Sequence, residues 1–165
     1  MFKKEADFLV LVGFFEREKE SEWGAPSFAQ PRPKTNWEHF LNDFINLNKK
    51  IKRKPYPIPK INKMLWKFEG FQYYTSLDLN VGYYHIWFRY NASNLCMIIL
   101  SWVKYCSKRL TMRVANSPDI FQQKMNDLFC GFQFICAYIY EILVFKKVEW
   151  TYHVHKLELT LNKLN

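Results

Sequence analysis

At 165 residues the chain is long enough for one domain with a true core and too short for several independent ones. With 49% apolar and 19% aromatic residues it carries too much buriable surface for a disordered tail. The formal charge of +9, from 24 Lys and Arg against 15 Asp and Glu, favours a polyanionic partner without naming one.

Residues 3–12 place Glu5 and Asp7 ahead of an apolar cluster that stops at Gly13, the pattern of a short helix with a glycine terminus. Residues 21–34 hold Trp23-Gly24-Ala25-Pro26 and Pro31-Arg32-Pro33, where missing donors and fixed backbone angles oppose a helix, so extended strand and turn are predicted. Residues 49–60 gather six cationic side chains around Pro55, Pro57 and Pro59, which predicts an extended, solvated segment. Aromatic, Thr and Ser residues over 71–79 predict a strand that ends at Asp78; Gly82 interrupts the pattern, and residues 85–90 resume it. Ser117-Pro118-Asp119 offers an N-cap hydroxyl, a first-position proline and an early acid, and predicts a helix with Ile120, Phe121, Met125 and Leu128 on one face. Residues 134–140 and 142–145 predict a hairpin about a tight turn. A last helix is predicted from Thr151, with Val154, Leu157, Leu161 and Leu164 as its buried stripe. Strands and helices mixed without strict alternation predict an α+β fold, an antiparallel sheet with helices on one face.

Cys96, Cys106, Cys130 and Cys136 show no Cys-x-x-Cys pairing and no ordered coupling to histidine, so they are expected to be core thiols and not zinc ligands. The apolar runs at 8–15 and 130–145 are too short or too polar to cross a bilayer, and no cleavage site follows the N-terminus. An intracellular setting, cytoplasmic or nuclear, with no membrane partner is expected.

Several strings then stand in one order: Ser21-Glu22-Trp23-Gly24-Ala25-Pro26-Ser27-Phe28 with Pro31, Leu41-Asn42-Asp43-Phe44 with Leu47-Asn48, Tyr56-Pro57-Ile58-Pro59, Ser76-Leu77-Asp78-Leu79 with Gly82-Tyr83-Tyr84-His85-Ile86, and Asn116-Ser117-Pro118 with Phe121-Gln122. Together they resemble gypsy-type (LTR) retrotransposon reverse transcriptases, from about the first helix to the end of the chain. The resemblance implies the fingers and palm of a right-hand polymerase, fingers-like over 1–70 and palm-like over 71–165. It implies a piece of a Pol polyprotein whose thumb and ribonuclease H would lie outside this chain. An RNA or DNA template-primer, a deoxynucleotide, the rest of the Pol polyprotein, and Mg or Mn are the partners and cofactors it implies.

In that family one acid ends the Ser-x-Asp strand and two stand in a Tyr-x-Asp-Asp turn, three hard oxygen ligands for magnesium. Asp78 matches the first acid. The turn here reads Tyr138-Ile139-Tyr140-Glu141, so Asp78 and Glu141 are the remaining catalytic and metal-binding candidates, and Tyr140 replaces a bridging aspartate. A phenol with a reference pKa of about 10 stays neutral and is a poor magnesium ligand. Glu141 either keeps a ligand charge on a longer arm or marks the solvent face of the hairpin. The substrate-binding positions implied are Tyr83, at the aromatic that screens the sugar 2′ position, Gln122, Arg113 where the family has glycine, and His39 near the arginine that meets the triphosphate. Lys34, Lys52, Arg53 and Lys54 are nucleic-acid contacts or a solvated charged loop. The expectation is a reverse-transcriptase-like domain without polymerase activity. A non-catalytic RNA- or DNA-binding module is the alternative, and a weakly active metal-dependent nucleotidyltransferase the remaining one.

Overall fold

The computed structural model describes residues 2–18, 23–31, 38–60, 69–146 and 149–165. In chain order its elements are α1 (Phe2–Leu11), β1 (Phe15–Glu18), β2 (Ala25–Pro31), β3 (Glu38–Asn42), α2 (Ile45–Lys50) and β4 (Tyr73–Asp78). A 3₁₀ turn (Gly82–His85), α3 (Tyr90–Leu95), β5 (Met97–Ile99), β6 (Lys104–Ser107), α4 (Ser117–Leu128), β7 (Ile135–Tyr138), β8 (Glu141–Lys146) and α5 (Trp150–Leu164) follow. They form two compact units, one of Met1–Arg53 with Tyr83–Ser117 and one of Lys54–Gly82 with Pro118–Asn165. The mixture is α+β, as the sequence predicts.

The first unit holds a five-stranded sheet in the order β1-β6-β5-β2-β3. Its pairs are antiparallel except β2 with β5, where Ala25 faces Ile98 and Pro26 faces Ile99. The sheet is therefore mixed where an antiparallel one was expected. A parallel pair needs a long crossover, and the stretch of chain between β2 and β5 supplies it. Ala6 and Leu9 of α1 bury against Phe15, Ala25, Ile98 and Tyr105. The Phe15 and Tyr105 rings lie 5.9 Å apart, the spacing at which aromatic pairs add attraction beyond area burial. The predicted glycine stop is in place: Gly13 takes φ +73, and Phe14 N turns back to donate to Leu9 O at 2.8 Å. Of the predicted strand and turn over 21–34, β2 forms the strand, and residues 21, 22 and 32–34 lie outside the described ones.

Residues 85–90 depart from the expectation of a strand. His85 closes the 3₁₀ turn, Trp87 makes a single bridge to Arg109, and Tyr90 opens α3. Alternate exposure is present, because Ile86 and Phe88 are half-buried between exposed His85, Trp87 and Arg89. The ladder does not extend, because Ser93 N bonds back to Arg89 O and turns the chain into the helix.

The second unit holds a three-stranded antiparallel sheet in the order β4-β8-β7. The predicted hairpin is β7 and β8, with Ala137 opposite Ile142 and Tyr138 opposite Glu141. Along β4, Tyr73, Thr75 and Leu77 are half-buried while Tyr74, Ser76 and Asp78 are exposed, the period of two that the strand pattern predicts. Ile142 and Val144 sit on the inward face with no exposure, each contributing about 1.5–3 kcal/mol of burial.

α5 packs on β8 and β4, but not through the predicted stripe. His153 and Thr160 are the buried residues, while Val154 is 44% and Leu161 45% exposed. The helix is turned by one residue because His153 Nε2 lies 2.8 Å from Thr75 Oγ1 on β4, a polar attachment that hydrophobic spacing does not register. In α4 the buried face is Phe121, Gln122 and Met125, with Ile120 turned toward solvent. Ser117 starts this helix, yet its Oγ donates to Thr111 O at 2.6 Å, so the hydroxyl ties the preceding loop where an N-cap was expected. Cys96 and Cys106 are buried thiols, whereas Cys130 is exposed beside the turn at Gly131.

Candidate functional site

The register of β4 against β8 sets Asp78 directly opposite Glu141. Leu79 N continues the pairing by donating to Tyr140 O at 2.9 Å. Residues opposite one another in an antiparallel pair carry their Cβ atoms about 5 Å apart on the same face. Two acids far apart in the chain thus stand together, both exposed, with Tyr138 beside Glu141 on β7. Like charges so placed repel unless a cation or a donor lies between them.

The turn next to them is strained and clamped. Ile139 takes φ +51, a left-handed conformation that a β-branched residue adopts only at a cost of about 1–3 kcal/mol. Gln122 holds it there: Ile139 N donates to Gln122 Oε1 at 2.8 Å, and Gln122 Nε2 donates to Ala137 O at 2.9 Å and to Asn126 Oδ1 at 3.0 Å. Asn126 Nδ2 donates to the Tyr56 hydroxyl at 3.0 Å, and Tyr56 N donates to the buried Asp119 Oδ1 at 2.9 Å. A continuous polar relay therefore joins the proline-rich segment around Tyr56 to the hairpin turn. Gln122 is fully buried, and its amide grips the hairpin backbone.

Tyr140 spends its side chain on packing. Its ring lies 5.9 Å from that of Phe121, which rests against Gly82 so closely that a Cβ there would come within 2.9 Å of Phe121 Cζ. The donor set at the strand ends is two carboxylates and a phenol, one acid short of the three that the resemblance implies for magnesium, which takes six oxygen ligands in near-octahedral array. The residues present do not fit the metal pair of the polymerase reaction. No group of three His, Cys, Asp or Glu gathers among the described residues.

The remaining expected positions belong to the first unit or to the cationic segment. Tyr83 is buried at 4% exposure within the 3₁₀ turn. Arg113 is exposed and takes φ +69, the region that favours glycine. Asn48 fixes this turn: its Nδ2 donates to Arg113 O at 2.7 Å, and its Oδ1 accepts from Ala115 N at 2.8 Å. His39 lies on β3 opposite Gln30, with its side chain outside the described residues, as is the whole of Lys34. Lys52, Arg53 and Lys54 are exposed in the extended segment that follows α2. Sequence reasoning gave no role to Asn48, Tyr56 or Asn126, although Asn48 and Tyr56 stand in the ordered strings. The signal for Asn126 was its place four residues from Gln122, the spacing at which polar side chains meet along a helix.

No protein-family model matches the chain. It is 30% identical over 164 residues to a protein described as an enzymatic polyprotein of Cassava vein mosaic virus, covering 93% of this chain and 25% of that protein. It is 30% identical over 171 residues to a retrovirus-related Pol polyprotein from the transposon opus of Drosophila melanogaster, covering 99% of this chain and 17% of the polyprotein. The chain thus spans a quarter or less of these relatives. Its fold is similar to the foamy viral protease-reverse transcriptase solved with an RNA/DNA hybrid, with TM-score 0.88 and 19% identity, over 99% of this chain and 22% of that one. No described helix is long and apolar enough to cross a membrane.

Proposed function

We propose that this chain, a reverse-transcriptase-like domain related to Pol polyproteins, engages a nucleic-acid template without extending it. The observation that carries the first half of this reading is the strand-end set Asp78, Glu141 and Tyr140, with the phenol ring on Phe121 where a second turn acid would stand. With the first turn acid replaced by a neutral phenol and the second lengthened by a methylene, the two remaining carboxylates would hold Mg or Mn weakly in the geometry that activates a primer hydroxyl and neutralises a pyrophosphate leaving group. We assign residues 1–70, with His39, to a fingers-like role and residues 71–165, with Asp78, Tyr83, Arg113 and Glu141, to a palm-like role. Arg113 stands where an incoming deoxynucleotide would approach the backbone. The thiols of Cys96 and Cys106 suit a reducing, intracellular setting, whether cytoplasmic or nuclear.

Primer extension on an RNA template with magnesium or manganese tests the reading, with template binding recorded in the same tubes. The unaltered chain is expected to bind and not extend. Tyr140→Asp combined with Glu141→Asp is expected to restore extension if the lost carboxylates are the sole defect. Extension by the unaltered chain would overturn the proposal, and absence of binding would remove its second half.

The binding half rests on residues 52–60. Exposed Lys54 and Lys60 lie on the proline-rich backbone that Tyr56 ties to Asp119 and Asn126, so these cations are presented on a fixed segment, and exposed Lys52 and Arg53 precede it in the chain.

A further inference from the structure

The first unit carries a second feature suited to nucleic acid. Phe88 N donates to Lys108 O at 2.9 Å, and Leu110 N donates to Ile86 O at 2.8 Å, which fixes the backbone on either side of Trp87. Across the bridge between Trp87 and Arg109, the guanidinium carbon of Arg109 lies 3.2 Å over the Trp87 ring centroid. The same guanidinium lies 5.8 Å from the Phe14 ring, and Phe14 stacks on Tyr84 at 4.7 Å. The buried Arg109 Nε has no hydrogen-bond acceptor, so ring faces are its surroundings.

One face of Trp87 is therefore closed by a cation, yet the residue is 63% exposed. An indole already held in one rotamer loses little entropy when a flat partner stacks on its open face. Its neighbours along the strip are exposed His85 and Arg89, and the Arg89 guanidinium has no ion-pair or hydrogen-bond partner among the described residues. A hydrophobic protein partner would need continuous apolar surface here. Cations interleaved with an exposed aromatic ring suit a polyanion with accessible rings.

We propose that Trp87, backed by Arg109, is a stacking site for an unpaired base of single-stranded nucleic acid, with Arg89 beside it for the adjoining phosphate. The choice of ligand rests on the reading that the chain engages nucleic acid. The position of the site does not depend on Asp78, Glu141 or the 52–60 segment.

Fluorescence anisotropy of the full chain with two labelled 12-mers of equal charge, oligo-dA and an abasic strand, separates the two ideas. The unaltered protein is expected to prefer oligo-dA by about ten-fold, the order that one stacked base supplies. Trp87→Ala should abolish that preference while leaving abasic binding unchanged, and Trp87→Phe should keep part of it. A thermal melt checks that each variant folds. Equal binding of both strands by the unaltered protein, or preference retained in Trp87→Ala, overturns the stacking site and leaves template binding intact. Binding of neither strand overturns both. A dimer in sedimentation that Trp87→Ala dissolves, without any base preference, would assign the platform to a second copy of the chain and overturn the proposal.

Discussion

Arg113 at φ +69 and Ile139 at φ +51 both hold backbone angles that suit glycine. For Arg113 the side chain is exposed, so nothing is lost in packing if it is removed. Arg113→Gly should raise stability by up to about 1 kcal/mol, strain relief outweighing the entropy that glycine adds to the unfolded chain. A lower urea midpoint would show that the turn is not strained. Cys96 makes a different prediction. Burial first, and the neighbouring Cys106 second, push its thiol up from 9.0 to about 12. Below about 9 the thiol is protonated in both states and contributes no pH dependence. Between about 9 and about 12 the unfolded chain releases the proton while the fold retains it, so stability should fall as pH rises, by at most about 1.4 kcal/mol per unit. Cys96→Ala should flatten that limb in denaturant titrations across pH. At this scale the sequence showed Asp78 and Glu141 as acids, and only the register set them face to face. The roles of Asn48 and Asn126 were not legible there, because an amide's value lies in which groups it reaches.

The hairpin of β7 and β8 and the strand β4 were readable because β-branched and aromatic residues at period two leave few alternatives. The faces of the helices were less so. α5 follows His153 and Thr160, since the bond to Thr75 sets its rotation, and Val154 and Leu161 are left partly in water. Val154→Lys and Leu161→Lys should therefore each change stability by no more than about 0.5 kcal/mol, while Thr160→Lys should cost several times that. Equal losses at all three positions in thermal melts would restore the apolar stripe read from spacing. Gln122 in α4 is the most consequential side chain of its element. Gln122→Ala would leave Ile139 N and Ala137 O without partners, and should destabilise by about 2–3 kcal/mol. Gln122→Glu keeps an acceptor for Ile139 N and should lose less. An unchanged urea midpoint for the alanine variant would mean that the hairpin holds its angle alone.

At the scale of the molecule, the charge of +9 is the quantity most directly open to measurement. If Lys52, Arg53 and Lys54 neutralise phosphates, replacing all three with alanine should lower the dependence of log affinity on log salt by about 2–3. An unchanged slope would make them a solvated loop. The α+β class was readable from composition and element order. The mixed first sheet was not, because the parallel pairing of β2 with β5 joins segments that no local pattern relates.

The chain enters the second unit at Lys54, leaves it after Gly82 and returns at Pro118. In order of synthesis, every strand of the first sheet has been made once Ser107 is added. β4 must by then have waited, with both edges open, for β8 to begin at Glu141. Strands left unpaired in this way are templates for association between chains. A released chain truncated near residue 130 would have one sheet able to close and Asp78 on a bare strand, and should aggregate far more readily than the full chain.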